Sequence, residues 1–220
     1  IFKEIQASSI ITFIVSRGVP LETAILLLML PIIATFIAFL RQVVGIKAFG
    51  IYTPLIITFA FLATNGLKYG IAIFIAVIIL GMVMRFVMKP FRLLYLPRVA
   101  ITLSIVAIII LFILVLGGNL QRTGLAAVSI FPILIMITLV EKFVAVQIEK
   151  GNRTAIVLAL ETLVISVVGY YIASWGILVR ILVAYPWLVL FTIPINILLG
   201  KWTGLRLNEY LRFREILKKT

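Results

Sequence analysis

The feature that most constrains this chain is a series of long apolar runs separated by short charged segments. A helix needs about 20 mostly apolar residues to cross the roughly 30 Å of hydrocarbon in a bilayer. The sequence therefore predicts an all-α integral membrane protein with seven transmembrane helices. The predicted spans are residues 20–40, 50–64, 67–87, 99–116, 124–140, 154–174 and 181–200.

The composition agrees with this class and excludes several kinds of chemistry. Apolar residues make up 64% of the chain and charged residues 12%, whereas a soluble globule has about 45–50% and about 25%. His, Cys and Asp are absent, and the seven acidic residues are all Glu. Catalytic triads, Cys–His catalysis and thiolate or imidazole metal sites are therefore excluded. We expect no enzymatic activity, no cofactor and no metal site.

The distribution of positive charge predicts the orientation of the spans. With the N-terminus outside and the C-terminus cytoplasmic, the cytoplasmic segments hold fifteen Lys and Arg residues and the outer segments hold five. This bias repeats in every loop, as the positive-inside rule requires. The net charge of +13 therefore reflects membrane topology, and we expect no nucleic-acid partner.

Short loops leave one membrane domain with two flanking segments. We expect an extracytoplasmic lead-in at 1–19, a seven-helix membrane domain at 20–200 and a basic amphipathic cytoplasmic tail at 201–220. The longest cytoplasmic connections are predicted at 89–98 and 141–153. The tail has two interpretations, a helix lying on anionic lipid or a docking face for a cytoplasmic partner. Because the chain begins at Ile1, we expect it to be a piece of a longer protein.

Two segments resemble each other and predict an internal repeat. The segment 45–54 and the segment 124–132 both contain Gly, four residues, a small residue, Ile, an aromatic residue and then Pro, with Thr53 as a one-residue gap before Pro54. They lie three crossings apart, so they run in opposite directions. Spans one to three and four to six would form a 3+3 inverted repeat with one further helix, as in many secondary transporters. The alternative is that Pro54 and Pro132 only kink helices for packing.

Glu161 is the polar residue that the membrane setting makes most unusual. It lies eight residues into the sixth predicted span, where an ionised acid costs about 2.5–3.5 kcal/mol on insertion scales. Proton coupling or substrate binding is one interpretation, and a structural hydrogen bond to a Thr or a freed carbonyl is the other. The candidate substrate or proton site comprises Glu161, Thr53, Pro54, Thr58, Ser129, Pro132 and Asn196.

Other polar residues have simpler interpretations. Asn196 is predicted to make either an interhelical hydrogen bond or a ligand contact. Gln147, Glu149 and Arg153 could form a polar vestibule at the cytoplasmic boundary. A basic cytoplasmic face is predicted from Arg85, Lys89, Arg92, Arg98, Lys142, Lys150 and Arg153. Topology alone also requires such a face, so the face does not identify a substrate.

Three motifs resemble a known family. They are Val19-Pro20-Leu-Glu22, Gly45-Ile-Lys-Ala-Phe-Gly-Ile-Tyr-Thr-Pro54-Leu-Ile-Ile-Thr58 and Arg92-Leu-Leu-Tyr-Leu-Pro97-Arg98. They are similar to the bacterial seven-transmembrane domain that is usually fused to an inactive transglutaminase-like extracytoplasmic domain. A weaker likeness links the chain to the small membrane subunit of poly-γ-glutamate synthases. The family resemblance implies a cytoplasmic ATP-grasp ligase-like partner, and it carries over no catalytic residue.

These observations lead to an expected function with two alternatives. We expect a non-enzymatic domain of the bacterial inner membrane that works with peptide- or glutamate-ligating machinery. It would translocate or anchor an anionic peptide-like product. The alternatives are a seven-helix signalling module and a scaffold that links an extracytoplasmic domain to a cytoplasmic partner.

Overall fold

A computed structural model describes residues 8–64, 67–88, 91, 94–119 and 130–201. Its ordered elements are helices throughout, since a helix satisfies its own backbone hydrogen bonds in lipid. We label them α1 (Ser9–Ser16), α2 (Leu21–Phe39), α3 (Tyr52–Ala63), α4 (Leu67–Met88), α5 (Tyr95–Asn119), α6 (Ile130–Lys150), α7 (Asn152–Ala173), α8 (Gly176–Ala184) and α9 (Thr192–Gly200). A π-helical turn, Leu40–Val44, follows α2, and a 3₁₀ turn, Pro186–Phe191, precedes α9.

The chain divides into two compact units, and α2 organises the first, which lies within Ile1–Lys47 and Val168–Thr220. Helix α2 packs against α1, α8, the 3₁₀ turn and α9. Met29, Ile33 and Ile37 are fully buried along one side of α2. These residues are four apart, so they form one continuous stripe on the helix.

Helix α6 organises the second unit, Ala48–Val167, by packing against α3, α4 and α5. Small residues allow this close packing. A Cβ atom on Gly70 would lie 2.5 Å from Cδ1 of Phe61, and one on Gly81 would lie 3.1 Å from Cδ1 of Phe143. Both Phe rings are fully buried. Glycine therefore permits the contacts of α4 with its neighbours, as is common where membrane helices meet.

The membrane character of the fold is clear from its longest helices. Leu21–Val44, Leu67–Met88 and Asn152–Ala173 are each long and apolar enough to cross a bilayer, and the bent pair that follows would make a fourth span. The apolar stretches Tyr52–Ala63 and Leu96–Phe112 are shorter. Large apolar side chains such as Leu27, Phe86 and Leu111 are more than 60% exposed, as expected for surfaces in contact with lipid.

The last predicted span, 181–200, differs from a single helix. Helix α8 begins earlier, at Gly176, and the chain bends by 103° between Ala184 and Pro186. Pro186 explains the bend, because a residue before proline is driven out of the helical region. Tyr185 accordingly has φ −131° and ψ 70°.

The predicted cytoplasmic loop at 141–153 is wrong in its extent. Helix α6 continues to Lys150, and α7 begins at Asn152. Gly151 alone separates them, with a φ of +85° that favours glycine. Charged residues such as Glu141 and Lys142 are good helix formers, so the helix extends through them.

The expectation that Pro54 kinks a helix from within is also wrong, because Pro54 is the third residue of α3. The first four N–H groups of a helix have no partner within it, so proline costs no hydrogen bond there. The described part of α6, which contains Pro132, begins at Ile130, and the residues directly before Ile130 lie outside the described range. The interior proline of α2 is instead Pro31.

Candidate functional site

The site is built around the segment that precedes α3. Ala48 has a φ of +36° and Gly50 a φ of +79°, so the backbone here is left-handed at two positions. Neither residue belongs to a helix. The N–H groups of such a segment need partners from another element when they are buried. Ala48 and Phe49 are both more than 90% buried.

Helix α7 supplies those partners through two adjacent residues. The Glu161 carboxylate oxygen Oε2 accepts a hydrogen bond from the Ala48 N–H at 3.1 Å. The Thr162 hydroxyl oxygen accepts from the Phe49 N–H at 3.0 Å. The Thr162 hydroxyl in turn donates to the Leu158 carbonyl at 2.6 Å, one turn back along α7. Two consecutive backbone groups are therefore held by two consecutive side chains.

A second set of hydroxyl contacts joins α7 to the first turns of α3. The Ser166 hydroxyl lies 3.1 Å from the Pro54 carbonyl and 2.8 Å from the Thr162 carbonyl. The Thr58 hydroxyl lies 2.8 Å from the Pro54 carbonyl and 3.3 Å from the Ser166 carbonyl. We call this group the polar seam. It comprises Ala48, Phe49, Pro54, Thr58, Glu161, Thr162 and Ser166.

Protein encloses most of the polar seam. Thr58, Thr162 and Ser166 are fully buried, and Glu161 is half-buried. The Phe49 ring packs edge-on against Phe143, with centroids 6.5 Å apart. Hydroxyl groups buried in this way are stable only when they are hydrogen-bonded. The seam thus fixes one arrangement of the 48–51 segment on α7.

The predicted site residues only partly converge. Glu161, Pro54 and Thr58 belong to the polar seam. Thr53 lies beside Pro54 in the first turn of α3 and is half-buried. Pro132 is in the first turn of α6, and Ser129 lies outside the described residues.

Asn196 belongs to the first unit, on α9. Its amide nitrogen donates to the Thr35 hydroxyl at 2.7 Å and to the Thr192 carbonyl at 2.8 Å. The Thr35 hydroxyl donates to the Pro31 carbonyl at 2.7 Å. Asn196 therefore links α9 to α2 beside the interior proline. This is the geometry of an interhelical hydrogen bond, one of the two interpretations of Asn196.

Thr162, Ser166 and Thr35 bridge elements of the fold, and none of them was predicted from the sequence as a site residue. Thr162 and Ser166 are four apart on α7, and Pro54 and Thr58 are four apart on α3. Two hydroxyl side chains at this spacing, as on α7, lie on the same face of a helix. This spacing of Thr162 and Ser166 can be read from the sequence. The groups that they contact on the 48–51 segment and on α3 cannot.

The described members of the basic face do not all share one environment. Lys142, Lys150 and Arg153 are exposed, and Arg98 is half-buried. Arg85 lies in α4, and Lys89 and Arg92 fall outside the described residues. Arg98 lines a cavity with room for about one water molecule, together with Met84, Met88, Thr102, Val144 and Ile148.

The predicted vestibule does not form as expected. Gln147 is fully buried within α6, whereas Glu149 and Arg153 are exposed. Gln147 faces the inside of the second unit, so it shares no exposed surface with Glu149 at the end of α6 or with Arg153 in α7. Within the part of the chain that the structure describes, no three metal-ligating side chains come together.

The apolar helices and the buried polar seam together define a multi-pass helical membrane protein. Residues 3–217 match a family described as 7 transmembrane helices usually fused to an inactive transglutaminase, and the chain belongs to this family. The match covers nearly the whole sequence and agrees with the family resemblance. No curated protein matches the chain. No solved structure matches it either.

Proposed function

We propose that this chain is a non-enzymatic membrane module that serves peptide- or glutamate-ligating machinery at the bacterial inner membrane. It would translocate or anchor an anionic, peptide-like product. The observation that carries the proposal is the contact of Glu161 with the Ala48 N–H, at a non-helical segment of a membrane domain. Transporters place substrate contacts at such segments, and an acid at membrane depth is a functional candidate by default.

The proposed partners follow from the family and from charge. An extracytoplasmic transglutaminase-like domain would be joined to the membrane domain, as is usual in this family. A cytoplasmic ATP-grasp ligase-like protein would lie on the opposite side. The exposed Lys142, Lys150 and Arg153 would attract its acidic product or an acidic surface on the enzyme itself. Seven crossings with the N-terminus outside would separate the two partners.

Translocation requires the polar seam to open to water. In the closed arrangement the Glu161 carboxylate and the Thr162 hydroxyl occupy two backbone N–H groups. An incoming anionic group would have to compete for these donors, which requires the 48–51 segment to leave α7. The left-handed φ of Ala48 is a source of strain that favours such movement.

The closed seam also supports a second candidate, a signalling or scaffold module. Thr58, Thr162 and Ser166 are fully buried, and their hydroxyls are all hydrogen-bonded. A bundle that only holds two partners in place needs no wet path. This candidate predicts that the seam stays closed whenever the protein is working.

Thiol accessibility separates the two candidates, because the chain contains no Cys. Thr162→Cys places a thiol of similar size in the seam, and Val164→Cys on the same helix serves as the lipid-facing control. Lys150→Cys is the exposed control for full reaction. We would treat proteoliposomes with a membrane-impermeant maleimide, with and without γ-linked glutamate oligopeptides.

Translocation predicts that Thr162→Cys reacts and that the oligopeptide changes its rate, while Val164→Cys stays unreactive. Complete protection under both conditions would contradict translocation and favour a scaffold. Uptake of a fluorescent γ-linked glutamate oligopeptide provides the functional readout. Glu161→Gln should abolish uptake if the chain translocates this product. A scaffold should tolerate Glu161→Gln but lose its cytoplasmic partner when the chain is truncated after Lys201.

A further inference from the structure

The bent segment of the first unit, Gly176–Gly200, consists of two arms of unequal length. Helix α8 has nine residues, and the arm Pro186–Gly200 has fifteen. At 1.5 Å per residue, α8 is about 14 Å long, half of what a bilayer crossing requires. The second arm, a 3₁₀ turn followed by α9, reaches about 25 Å. Only the second arm is long enough to cross most of the hydrocarbon.

Helix α8 has one face against protein and one face without a described partner. Val179, Leu182 and Val183 are buried. The opposite side exposes Ile177 and Ile181, with Arg180 at its border. A short helix with exposed apolar residues beside an Arg is typical of the bilayer interface, where the apolar groups enter lipid and the guanidinium reaches phosphates. Arg180 in mid-helix argues against burying α8 in hydrocarbon.

Aromatic residues mark both ends of α8. Trp175 precedes the helix and is 58% exposed, and Tyr185 and Trp187 follow it at 56% and 51%. The Tyr185 and Trp187 rings lie 6.4 Å apart. Exposed Trp and Tyr residues prefer the level of the lipid headgroups. A helix whose two ends lie at the same level runs parallel to the membrane plane.

Helix α1 is attached to the end of α8. The Ser8 N–H donates to the Val183 carbonyl at 3.2 Å. Helix α1 also exposes Ile10 and Phe13, and the Arg17 guanidinium lies 5.1 Å from the centroid of the Phe13 ring. Exposed apolar residues and a single Arg therefore occur together in both places, with Arg180 within α8 and Arg17 directly after α1.

We propose that α1 and α8, the interfacial pair, lie in the headgroup region of one leaflet and bind phospholipid there. Ile177, Ile181 and Phe13 enter the upper acyl region, and Arg17 and Arg180 contact lipid phosphates. The bilayer crossing of this arm then begins at Pro186, not within α8. The interfacial pair lies parallel to the membrane plane, and the chain enters the membrane domain from it at α2. This inference does not depend on whether the module translocates, signals or serves as a scaffold.

Depth-dependent fluorescence quenching tests the proposal in the full chain. Trp175, Trp187 and Trp202 are replaced by Phe, and a single Trp is introduced at Ile181 of α8 or at Ile193 of α9. Both positions are exposed, so a Trp fits without repacking. The protein is reconstituted in bilayers whose lipids carry bromine either near the headgroup or near the bilayer centre.

The proposal predicts opposite quenching patterns for the two positions. Ile181→Trp should be quenched about twofold more strongly by the shallow bromines, and Ile193→Trp more strongly by the deep bromines. A variant that retains only Trp175 gives a second measurement at a native residue and should match Ile181→Trp. Deep quenching of Ile181→Trp would place α8 in the hydrocarbon and overturn the proposal. Absence of quenching by either lipid would show that protein covers α8 and would overturn it equally.

Discussion

Removing the Glu161 carboxylate should destabilise the protein by an amount that the seam geometry sets. In Glu161→Ala the N–H of Ala48 loses the acceptor at 3.1 Å, and Ala48 is only 6% exposed. Water cannot readily replace the acceptor, so the cost is that of a buried unsatisfied donor, about 1–3 kcal/mol. Glu161→Gln keeps a side-chain carbonyl oxygen in reach, and its cost should be smaller, about 1 kcal/mol or less.

Thr162, which holds the neighbouring amide of the 48–51 segment, provides a second measurement. Thr162→Val removes the acceptor of the Phe49 N–H and should also cost about 1–3 kcal/mol. Because Glu161 and Thr162 hold neighbouring amides of one segment, releasing either should loosen the other. The double variant Glu161→Ala with Thr162→Val should therefore cost less than the sum of the single variants, by about 0.5 kcal/mol or more.

Reversible unfolding in mixed detergent and SDS micelles, followed by circular dichroism, measures these differences. Val164→Ala is the matched control, since Val164 is on the same helix and 57% exposed. We expect it to change stability by less than about 0.5 kcal/mol. Equal losses for Glu161→Ala and Glu161→Gln would refute the acceptor role of the side chain. A Glu161→Ala variant as stable as the control would show that the hydrogen bond between the Ala48 N–H and Glu161 does not stabilise the protein.

Three further substitutions test separate contacts of the fold. Gly70→Ala brings a Cβ to 2.5 Å from the buried Phe61 ring and should destabilise by about 1–3 kcal/mol in the same unfolding assay. Asn196→Ala removes the link to Thr35 and should cost about 0.6 kcal/mol and at most about 1.7; a double-mutant cycle with Thr35→Val checks this. Ala48→Gly relieves a left-handed φ of +36° and should stabilise by roughly 1 kcal/mol.

Each of these substitutions has a control in the same chain. Gly176→Ala meets no atom within 4 Å and should be neutral or slightly stabilising, so a loss equal to that of Gly70→Ala would rule out the steric explanation. Ala159→Gly, inside α7, should destabilise where Ala48→Gly stabilises. Additive effects of Asn196→Ala and Thr35→Val would show that their hydrogen bond contributes nothing to stability.

The polar seam gives the Glu161 carboxylate a structural role. A carboxylate that holds the backbone of a neighbouring segment is a structural group in the closed arrangement. It becomes a substrate or proton site only if that segment moves. Stability and accessibility measurements therefore address different questions, and a Glu161→Gln variant that folds normally but fails in uptake would separate the two roles.

The sequence by itself determined the class of this protein. Apolar runs of membrane-spanning length and a shortage of charge leave helices in lipid as the consistent outcome, because unpaired backbone groups are too costly there. Glu161 also stood out from the sequence alone, since an acid inside a long apolar run must be paired or solvated. These conclusions depend only on local composition and hydrogen-bonding cost.

Only the tertiary structure decided what those residues contact and where helices end. The Ala48 N–H and the Glu161 carboxylate are 113 positions apart, and no local pattern encodes their contact. The bend at Tyr185 and the continuation of α6 to Lys150 were missed because the spans were predicted from apolar runs, which neither mark a bend nor show how far a helix continues into charged residues. Apolar side chains suit a lipid-facing helix and a buried one equally well, so packing, rather than hydropathy, determines which faces meet.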